Sequence, residues 1–525
     1  MGKVSFHTGS RLIRVGIIDR IILLLLVTIG IEAALYYADY WFFGGHRKHL
    51  VLFILLSYAI FRGVARSIFS WVVMLFVSLP DNKRLKRDLS VDVITTAMPG
   101  EPYEMFEKTL TAIAEMDYPH TSWLLDGGND PKLQALCIRL GINHIDCRGI
   151  EGAKAGKVNH CLENHATGEF VLIIDPDHIP NRDFLESVLP QFNDRRVGFV
   201  QVVQAYYNVN RSYVSRAAAE HTYGFYGPNM MGLNGLGIPT AIGANCVFRR
   251  AALDSIGGHA VSLAEDANTS LRLHAKGWKS VYVPYRASYG LVPEDMDTFF
   301  KQQLKWSKGM FSLFFGDYRK LFTRLPLPAK LQYFFAGTHY LNGFVTLLTI
   351  LLPIVFLFTK VFAIEMPFDE FAIHLLPYVI ISVVINMYVQ RWYTDRSEFG
   401  IPWRTMLFER GTWYIYFLGL LYAITGKKVL YLPTPKKAKT GRCLNLVAPH
   451  IVAVVLSASA ILFAFLTYPR IDGGTVLMMF FAGLNIVTLT PIIALGIWNP
   501  KWESEKESIE ELVPETAVAI EPVGR

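Results

Sequence analysis

The sequence predicts an α/β domain with a mostly parallel, Rossmann-like sheet, embedded between two groups of α-helical transmembrane segments. Two observations carry that prediction. Of the 525 residues 52% are hydrophobic, including 35 Phe, 25 Tyr and 10 Trp, and they crowd both ends of the chain while residues 82–310 read as a charged globular stretch. Within that stretch, short β-rich runs alternate with segments of helical apolar spacing.

A helix that crosses hydrocarbon needs about 20 mostly apolar residues, because its backbone must satisfy its own hydrogen bonds there. Six stretches qualify: Ile21–Phe43, a second from Leu50 interrupted by Arg62 and Arg66, Tyr333–Phe358, Phe371–Gln390, Leu446–Tyr468 and Val476–Trp498. Residues 67–79 either prolong the second span or lie along the interface. Lys3, Arg11, Arg14 and Arg20 precede the first run as in a secretory signal, but the run is too long and no small-residue cleavage site follows, which makes it a retained span. Gly411–Thr425 is short and follows Arg404, Glu409 and Arg410, the pattern of an interfacial helix.

Two spans before the globular stretch put it on the same side as the N-terminus. Basic residues beside the spans (Lys83, Arg84, Lys86, Arg87; Lys427, Lys428, Lys436, Lys437, Lys439) assign that side to the cytosol. The net charge of +7 therefore reads as contact with the lipid bilayer and not as a nucleic-acid surface. Five cysteines, an odd number without a CxxC pair, point to reduced thiols and neither a disulfide framework nor a zinc site. The expected organisation is two spans over 1–88, a cytosolic domain over 89–310, interfacial helices and four spans over 311–500, and an acidic tail over 501–525.

In the cytosolic stretch VDVITTAM (from Val91), SWLLD (to Asp126), EFVLIID (Glu169 to Asp175), VGFVQV and KSVYV carry the strand signature, with PYEMFEKTLTAIAEM, RDFLESVLPQF and EDANTSLRLHAKG as helices between them. EFVLIIDPDHIP is a buried strand that stops abruptly at Asp175, Asp177 and His178. Ligands of doubly wound sheets bind at such carboxyl ends, and two carboxylates one residue apart suit a hard divalent ion together with a diphosphate. The same letters also describe a strand-ending turn with solvated acids.

Other polar groups sit at neighbouring strand ends. Asp126 is followed by Gly127 and Gly128, which let a ligand approach the backbone, and Lys154 in AKAGKVNH suits a nucleotide. Glu265 and Asp266 begin a helix; they complement its dipole, and Asp266 is the candidate general base for an acceptor hydroxyl. In KQQLKWSKGM, Gln302, Gln303, Lys305 and Trp306 offer amides, a cation and an indole for a leaving diphosphate and a stacked sugar ring. A juxtamembrane Lys and Trp are equally an interfacial anchor.

In this order and density, from Val91 to Lys436, the motifs resemble the processive family 2 glycosyltransferases, above all the catalytic subunit of bacterial cellulose synthase. Asp126 matches the family's first aspartate motif, Lys154 the KAG lysine, DPDH at Asp175 to His178 the DxD motif, AED ending at Asp266 the TED motif, and QQLKW the QxxRW motif. YLPTPK, within the segment 427–440, resembles the gating loop, with Thr434 and Lys436 at its polar positions.

The resemblance implies a GT-A-type domain in a bacterial inner membrane and inverting transfer from a UDP-sugar, UDP-glucose first. Mg²⁺ or Mn²⁺ would sit at Asp175, Asp177 and His178. The donor would be held by Asp126, Lys154, Asp175, Gln302, Gln303, Lys305, Thr434 and Lys436, and the growing polysaccharide acceptor by Trp306 and Glu265. It further implies a channel for the polymer and room for accessory secretion subunits. Departures are the single aspartate at Asp126, Ala264 for threonine, Ile242 for cysteine, Pro433 for valine, and Lys305 for arginine, which keeps the charge and loses the bidentate fork.

Polar residues in or near the spans, Glu32, His339, Asn342 and His374, mark either a substrate path or hydrogen bonds between helices. Two other functions fit the sequence: a non-processive transferase that glycosylates a membrane lipid, and a transporter with a nucleotide-sensing domain, in which Asp266→Asn would leave activity intact.

Overall fold

Seven strands build the central sheet of the computed structural model, which describes residues 3–4, 12–13, 15–80, 84–361, 364–392, 399–427 and 443–498. In chain order they are β1 (Val91–Ala97), β2 (Thr121–Asp126), β3 (Asn143–Asp146), β4 (Phe170–Ile173), β5 (Val197–Val202), β6 (Cys246–Arg249) and β7 (Lys279–Val283). Their spatial order is β7-β5-β6-β4-β1-β2-β3. β1 pairs in parallel with β2 and β4, while β6 runs antiparallel to both β4 and β5. The expected mostly parallel sheet is therefore mixed by one strand, and β3 and β6 were absent from the sequence reading. Each is only four residues long, and Asn143–Asp146 shows no apolar alternation for a period of two to catch.

Helices cover both faces, which is why these strands are apolar without alternation. Phe170, Leu172 and Ile174 enter the core with Val91, Phe106 and Leu110, whereas Val171 and Ile173 enter the opposite core with Ile94, Val158, Phe248 and Leu273. Asp92, buried in β1, accepts hydrogen bonds from Trp123 Nε1 at 2.7 Å and Gly168 N at 2.6 Å, so burial leaves it satisfied. All five cysteines are free.

Among the described residues six helices are long and apolar enough to cross a membrane: Ile17–Phe43, Leu50–Met74, Leu327–Thr359, Asp369–Gln390, Leu444–Thr467 and Gly473–Trp498. They correspond to the six predicted stretches and make this a multi-pass membrane protein. The second span is continuous through Arg62 and Arg66 and ends at Met74, which settles residues 67–74 as membrane helix. The third is interrupted by a 3₁₀ turn at His339–Leu341; two carbonyls of this turn, Thr338 O and His339 O, accept from Arg62 in addition to their backbone partners, while the same guanidinium reaches Asn342 Oδ1. The cost of a cation at membrane depth is met by these partners. His374 stacks on Tyr36 and Tyr40 and serves helix packing.

Trp413–Ile424 forms the expected short helix. It lies against the helix Met296–Leu313, where Gly419 leaves no room for a side chain beside Ser307. The proposed gating segment with Thr434 and Lys436, and the acidic tail, lie outside the described residues.

The catalytic domain docks on the end of the second span through glycines. A Cβ on Gly232 or Gly235 would land on the carbonyl oxygens of Val73 and Phe76, and Asn234 Nδ2 donates to Ser78 O at 3.2 Å in the same contact. Ala in place of a helical glycine ordinarily gains about 1 kcal/mol. At Gly235 the overlap should reverse the sign and cost about 1–3 kcal/mol. Gly235→Ala is thus expected to lower the thermal midpoint of the detergent-solubilised protein, with Gly483→Ala, where nothing lies within 4 Å of the added carbon, at or above the parent; equal midpoints would contradict the close docking.

Candidate active site

β4 delivers its carboxylates by ending early. Ile174 N still donates to Ile94 O at 3.0 Å, but the chain then turns, with His178 N donating to Asp175 O at 3.0 Å and Thr109 Oγ1 fastening Pro176 O at 2.7 Å. The turn gathers one ligand atom each from Asp175, Asp177 and His178 within 4.8 Å of one another. Asp177 and His178 are buried, His178 Nδ1 stands 3.2 Å from Asp177 Oδ1, and Nε2 is buried without a partner. Gly290 leaves space for that ring, since a Cβ there would overlap it. Two carboxylates and an imidazole with an unspent nitrogen fit a divalent cation.

Lys154 reaches the same turn from the first residues of the helix Ala153–Asn164. It is buried and donates to Asp175 Oδ1 at 2.6 Å and to Gly243 O. The left-handed backbone at Gly152, φ 91°, and the absence of a side chain at Gly156, where a Cβ would strike Glu151 O, let the helix start this abruptly.

Glu265 and Asp266 open the helix Glu265–Ala275. The helix Met296–Leu313 packs over them through Gly309, which a Cβ would bring to 3.1 Å from Ala264, and so places Gln302, Lys305 and Trp306 opposite. One cavity of about 1080 Å³ is lined by Lys154, Asp175, Asp177, His178, Glu265, Asp266, Gln302, Gln303, Lys305 and Trp306. It continues toward the membrane past Arg66, His339 and Asn386. Gln303 is largely committed to structure: its Oε1 accepts from Tyr416 OH at 2.9 Å.

Asp175, Asp177, Glu265 and Asp266 crowd against Lys154 and Lys305 at this end of the cavity, and burial shifts the proton affinities of Glu265, Asp266 and Lys305. Burial, then the charge of Asp266, raises Glu265 from its ordinary 4.5 to about 7. Burial also pushes Asp266 upward, but His259 and the charges of Lys154 and Lys305 outweigh it and hold the carboxyl below its usual value. Lys305 is lowered by burial and partly restored by Glu265 and Asp175. Among the two carboxylates of AED, Asp266 is the ionised one near neutrality.

Asp126, expected on the donor, ends β2. It does not line this cavity: its carboxyl oxygens accept from Gly128 N and Asp130 N, both at 2.7 Å, and Oδ2 lies 3.1 Å from His144 Nε2. It shapes the loop after β2. Its neighbour Lys157 is buried, with Nζ donating to Ala97 O at 2.8 Å, and belongs to the same loop support; His259, beside Asp266, is a residue that no motif spacing revealed.

Comparison with known proteins agrees with this architecture. The family described as "Glycosyl transferase family group 2" matches residues 170–497. The chain is 30% identical over 277 residues to a cellulose synthase catalytic subunit [UDP-forming] of Xanthomonas axonopodis pv. citri (strain 306), covering 51% of this chain and 37% of the relative. It is 29% identical over 270 residues to a protein of the same name from Komagataeibacter sucrofermentans, covering 49% and 35%. The matches thus span about a third of those relatives' length. Among solved structures the mannosyltransferase PcManGT from Pyrobaculum calidifontis, in complex with GDP-Man and Mn²⁺, superimposes with a TM-score of 0.51 at 18% identity over 72% of this chain and 99% of that one, a likeness of fold.

The raised Glu265 carries a sign. Folded Glu265 keeps its proton up to about pH 7 whereas the unfolded residue loses it near 4.5, so this group makes folding less favourable as pH climbs through that window. Glu265→Gln, which has no proton to hold, should match the parent's thermal midpoint below pH 4.5 and exceed it increasingly up to pH 7, in buffer without divalent ions. A pH-independent offset would show that Glu265 is not raised.

Proposed function

The chain belongs to the glycosyl transferase family group 2, and from that premise we propose that it is an inverting, membrane-embedded glycosyltransferase that polymerises UDP-glucose into a β-linked polysaccharide and passes the product into its own membrane region. One observation carries the reading: DPDH, KAG, AED and QQLKW, spread over 150 residues of sequence, line a single cavity that continues between the spans.

Asp175, Asp177 and His178 would hold Mg²⁺ or Mn²⁺, which when bound supplies charge neutralisation for a departing diphosphate. Lys154 and Lys305 stand on opposite walls, and they add two fixed cations in a site whose protein walls let a charge act more strongly than in bulk water. Trp306 presents a ring face on which the terminal sugar of the acceptor stacks. Asp266, ionised and open to the cavity, takes the proton of the acceptor hydroxyl as that oxygen attacks the anomeric carbon from the side opposite the leaving phosphate; attack from that side inverts the configuration. Gln302 lies one helical turn before Lys305 and Trp306 and completes that wall.

A second reading, transfer of one sugar to a membrane lipid, is favoured by the cavity's blind end. Its membrane arm is lined from Gly63 onward on the second span, up to Asn342 on the third and from Val383 on the fourth, with no described residue of the first, fifth or sixth span. Gly63 to Met74 is about 16 Å of helix, half of the roughly 30 Å hydrocarbon core. Phe399, Ile401, Trp403 and Met406 on its rim are exposed apolar residues.

Incubation of the purified protein with radiolabelled UDP-glucose and Mn²⁺ decides between them: a polymer that stays at the gel origin and yields to β-glucanase is expected, and a single lipid-soluble product would establish the second reading. Asp266→Asn is expected to lower turnover by about 10³-fold or more with the donor KM little changed. Asp177→Asn should weaken Mn²⁺ binding, read by paramagnetic resonance of the free ion, by at least about tenfold; unaltered affinity would remove the DPDH turn as the metal site.

A further inference from the structure

His259 belongs to no motif of the chain, yet its backbone is firmly held and its ring is buried beside Asp266. Two left-handed glycines, Gly257 at φ 80° and Gly258 at φ 94°, turn the backbone into position. The Asn159 amide then grips both backbone groups of His259: its Oδ1 accepts from His259 N at 2.7 Å and its Nδ2 donates to His259 O at 2.9 Å. A Cβ at Gly258 would come within 2.6 Å of that Oδ1, so the glycine is a condition of the clamp. The ring packs edge-on against Phe248 at 5.8 Å and is almost fully buried.

Its two nitrogens face different partners. Nδ1 lies 3.4 Å from Thr269 Oγ1, and Nε2 lies 3.5 Å from Asp266 Oδ1. Thr269 has one hydroxyl proton, and it is engaged: Oγ1 donates to Glu265 O at 2.7 Å while accepting from Ala260 N at 2.9 Å. Thr269 can therefore meet Nδ1 only as an acceptor, which places a proton on Nδ1. Nε2 then confronts a carboxylate oxygen. Two lone pairs do not face each other across a dry contact, so one proton lies between them.

We propose that His259 is the positioning residue of the base: it shares one proton with Asp266 Oδ1, fixes the carboxyl plane, and keeps the carboxylate ionised so that its other oxygen is free to deprotonate the acceptor. The inference rests on Asp266 being the base. Asp266 lines the cavity while His259 does not, and Oδ2 is the oxygen turned to the Gly243 strip of the cavity wall, 3.0 Å from where a Cβ of that glycine would stand. The need for such a partner is electrostatic. Asp266 adjoins Glu265 and shares the cavity with Asp175 and Asp177, each of which opposes its ionisation. The ionisable groups around the pair are Glu265, Lys154 and Lys305 on the cavity side and Cys246 on β6, whose thiol burial and the Asp266 charge push well up. The lysines are to be drawn toward the donor diphosphate in turnover, whereas His259 remains behind Asp266 throughout. During transfer the acceptor O–H bond breaks and its proton passes to Asp266 Oδ2, the new C–O bond forms at the anomeric carbon, and the bond to the phosphate oxygen breaks with its electron pair leaving on UDP.

The test is the pH profile of kcat at saturating UDP-glucose and Mn²⁺ for His259→Phe and His259→Gln. The Phe variant fills the volume without a donor; the Gln variant keeps a donor without a charge. For His259→Phe we expect kcat at pH 7 down about 30-fold, the donor KM within about threefold, and the acid limb displaced upward by about one pH unit. His259→Gln should recover kcat above pH 8.5 to within about fivefold of the parent and keep the displaced limb. A Phe variant with the parent's profile overturns the proposal, as does a loss of equal size at every pH or one accompanied by lost UDP binding, since either means structure alone. Asp266→Asn separates the two levels: if it remains active the base assignment fails, and if it is dead while His259→Phe behaves as the parent only the pairing fails.

Discussion

Crowding of like charge at one end of a shared cavity is the constraint on which this molecule's active site is built. Asp175, Asp177, Glu265 and Asp266 face Lys154 and Lys305 there, and these two lysines do not balance those four acids. The imbalance is resolved in three ways visible in the geometry: Lys154 is bonded to Asp175, Glu265 is held near half-protonation at neutral pH, and His259 stands behind Asp266. What is left over is negative charge beside an imidazole with an unspent nitrogen, an arrangement completed by a divalent cation. Electrostatics therefore explains why acid, base and cation-binding groups must lie on different elements: each element contributes one charge that another element offsets.

Much of this was legible in the sequence because it depends on periodicity and on charges at strand ends. β1, β2, β5 and β7 fell where the apolar runs lay, all six spans were found within a few residues, and DPDH, AED and QQLKW all face the cavity. The rest was hidden for identifiable reasons. β3 is too short and polar to register. β6, Cys246–Arg249, has too few residues to show a period, and its antiparallel direction is a property of topology that no local pattern records. Asp126 reads as a ligand group because it ends a strand before two glycines, whereas the loop that follows folds back so that the amides of Gly128 and Asp130 consume its carboxyl. His259 required knowing that Asn159, a hundred residues earlier, would fasten its backbone. The continuity of the second span through Arg62 was obscured because hydropathy counts a charge as a break, whereas a partner on a neighbouring helix cancels it.

The catalytic domain and the membrane helices form one mechanical unit. Glycines 232 and 235 seat the domain on the end of the second span, and Gly419 and Tyr416 seat the short helix Trp413–Ile424 on Ser307 and Gln303. The helix bearing Lys305 and Trp306 is thus clasped from the membrane side while its Gly309 touches Ala264, two residues before Asp266. A shift of the short helix would be felt at Lys305 and Trp306 with little slack between, since glycine contacts at backbone distance have no side chain to absorb it.

Arg62 sets an electrical condition on the whole assembly. A hydrated hollow that penetrates to mid-bilayer brings the conductivity of the cytosol with it, so the transmembrane voltage falls across only the remaining dielectric. A fixed guanidinium tied to Thr338, His339 and Asn342 at that depth raises a barrier against protons and metal cations at the place where insulation is thinnest.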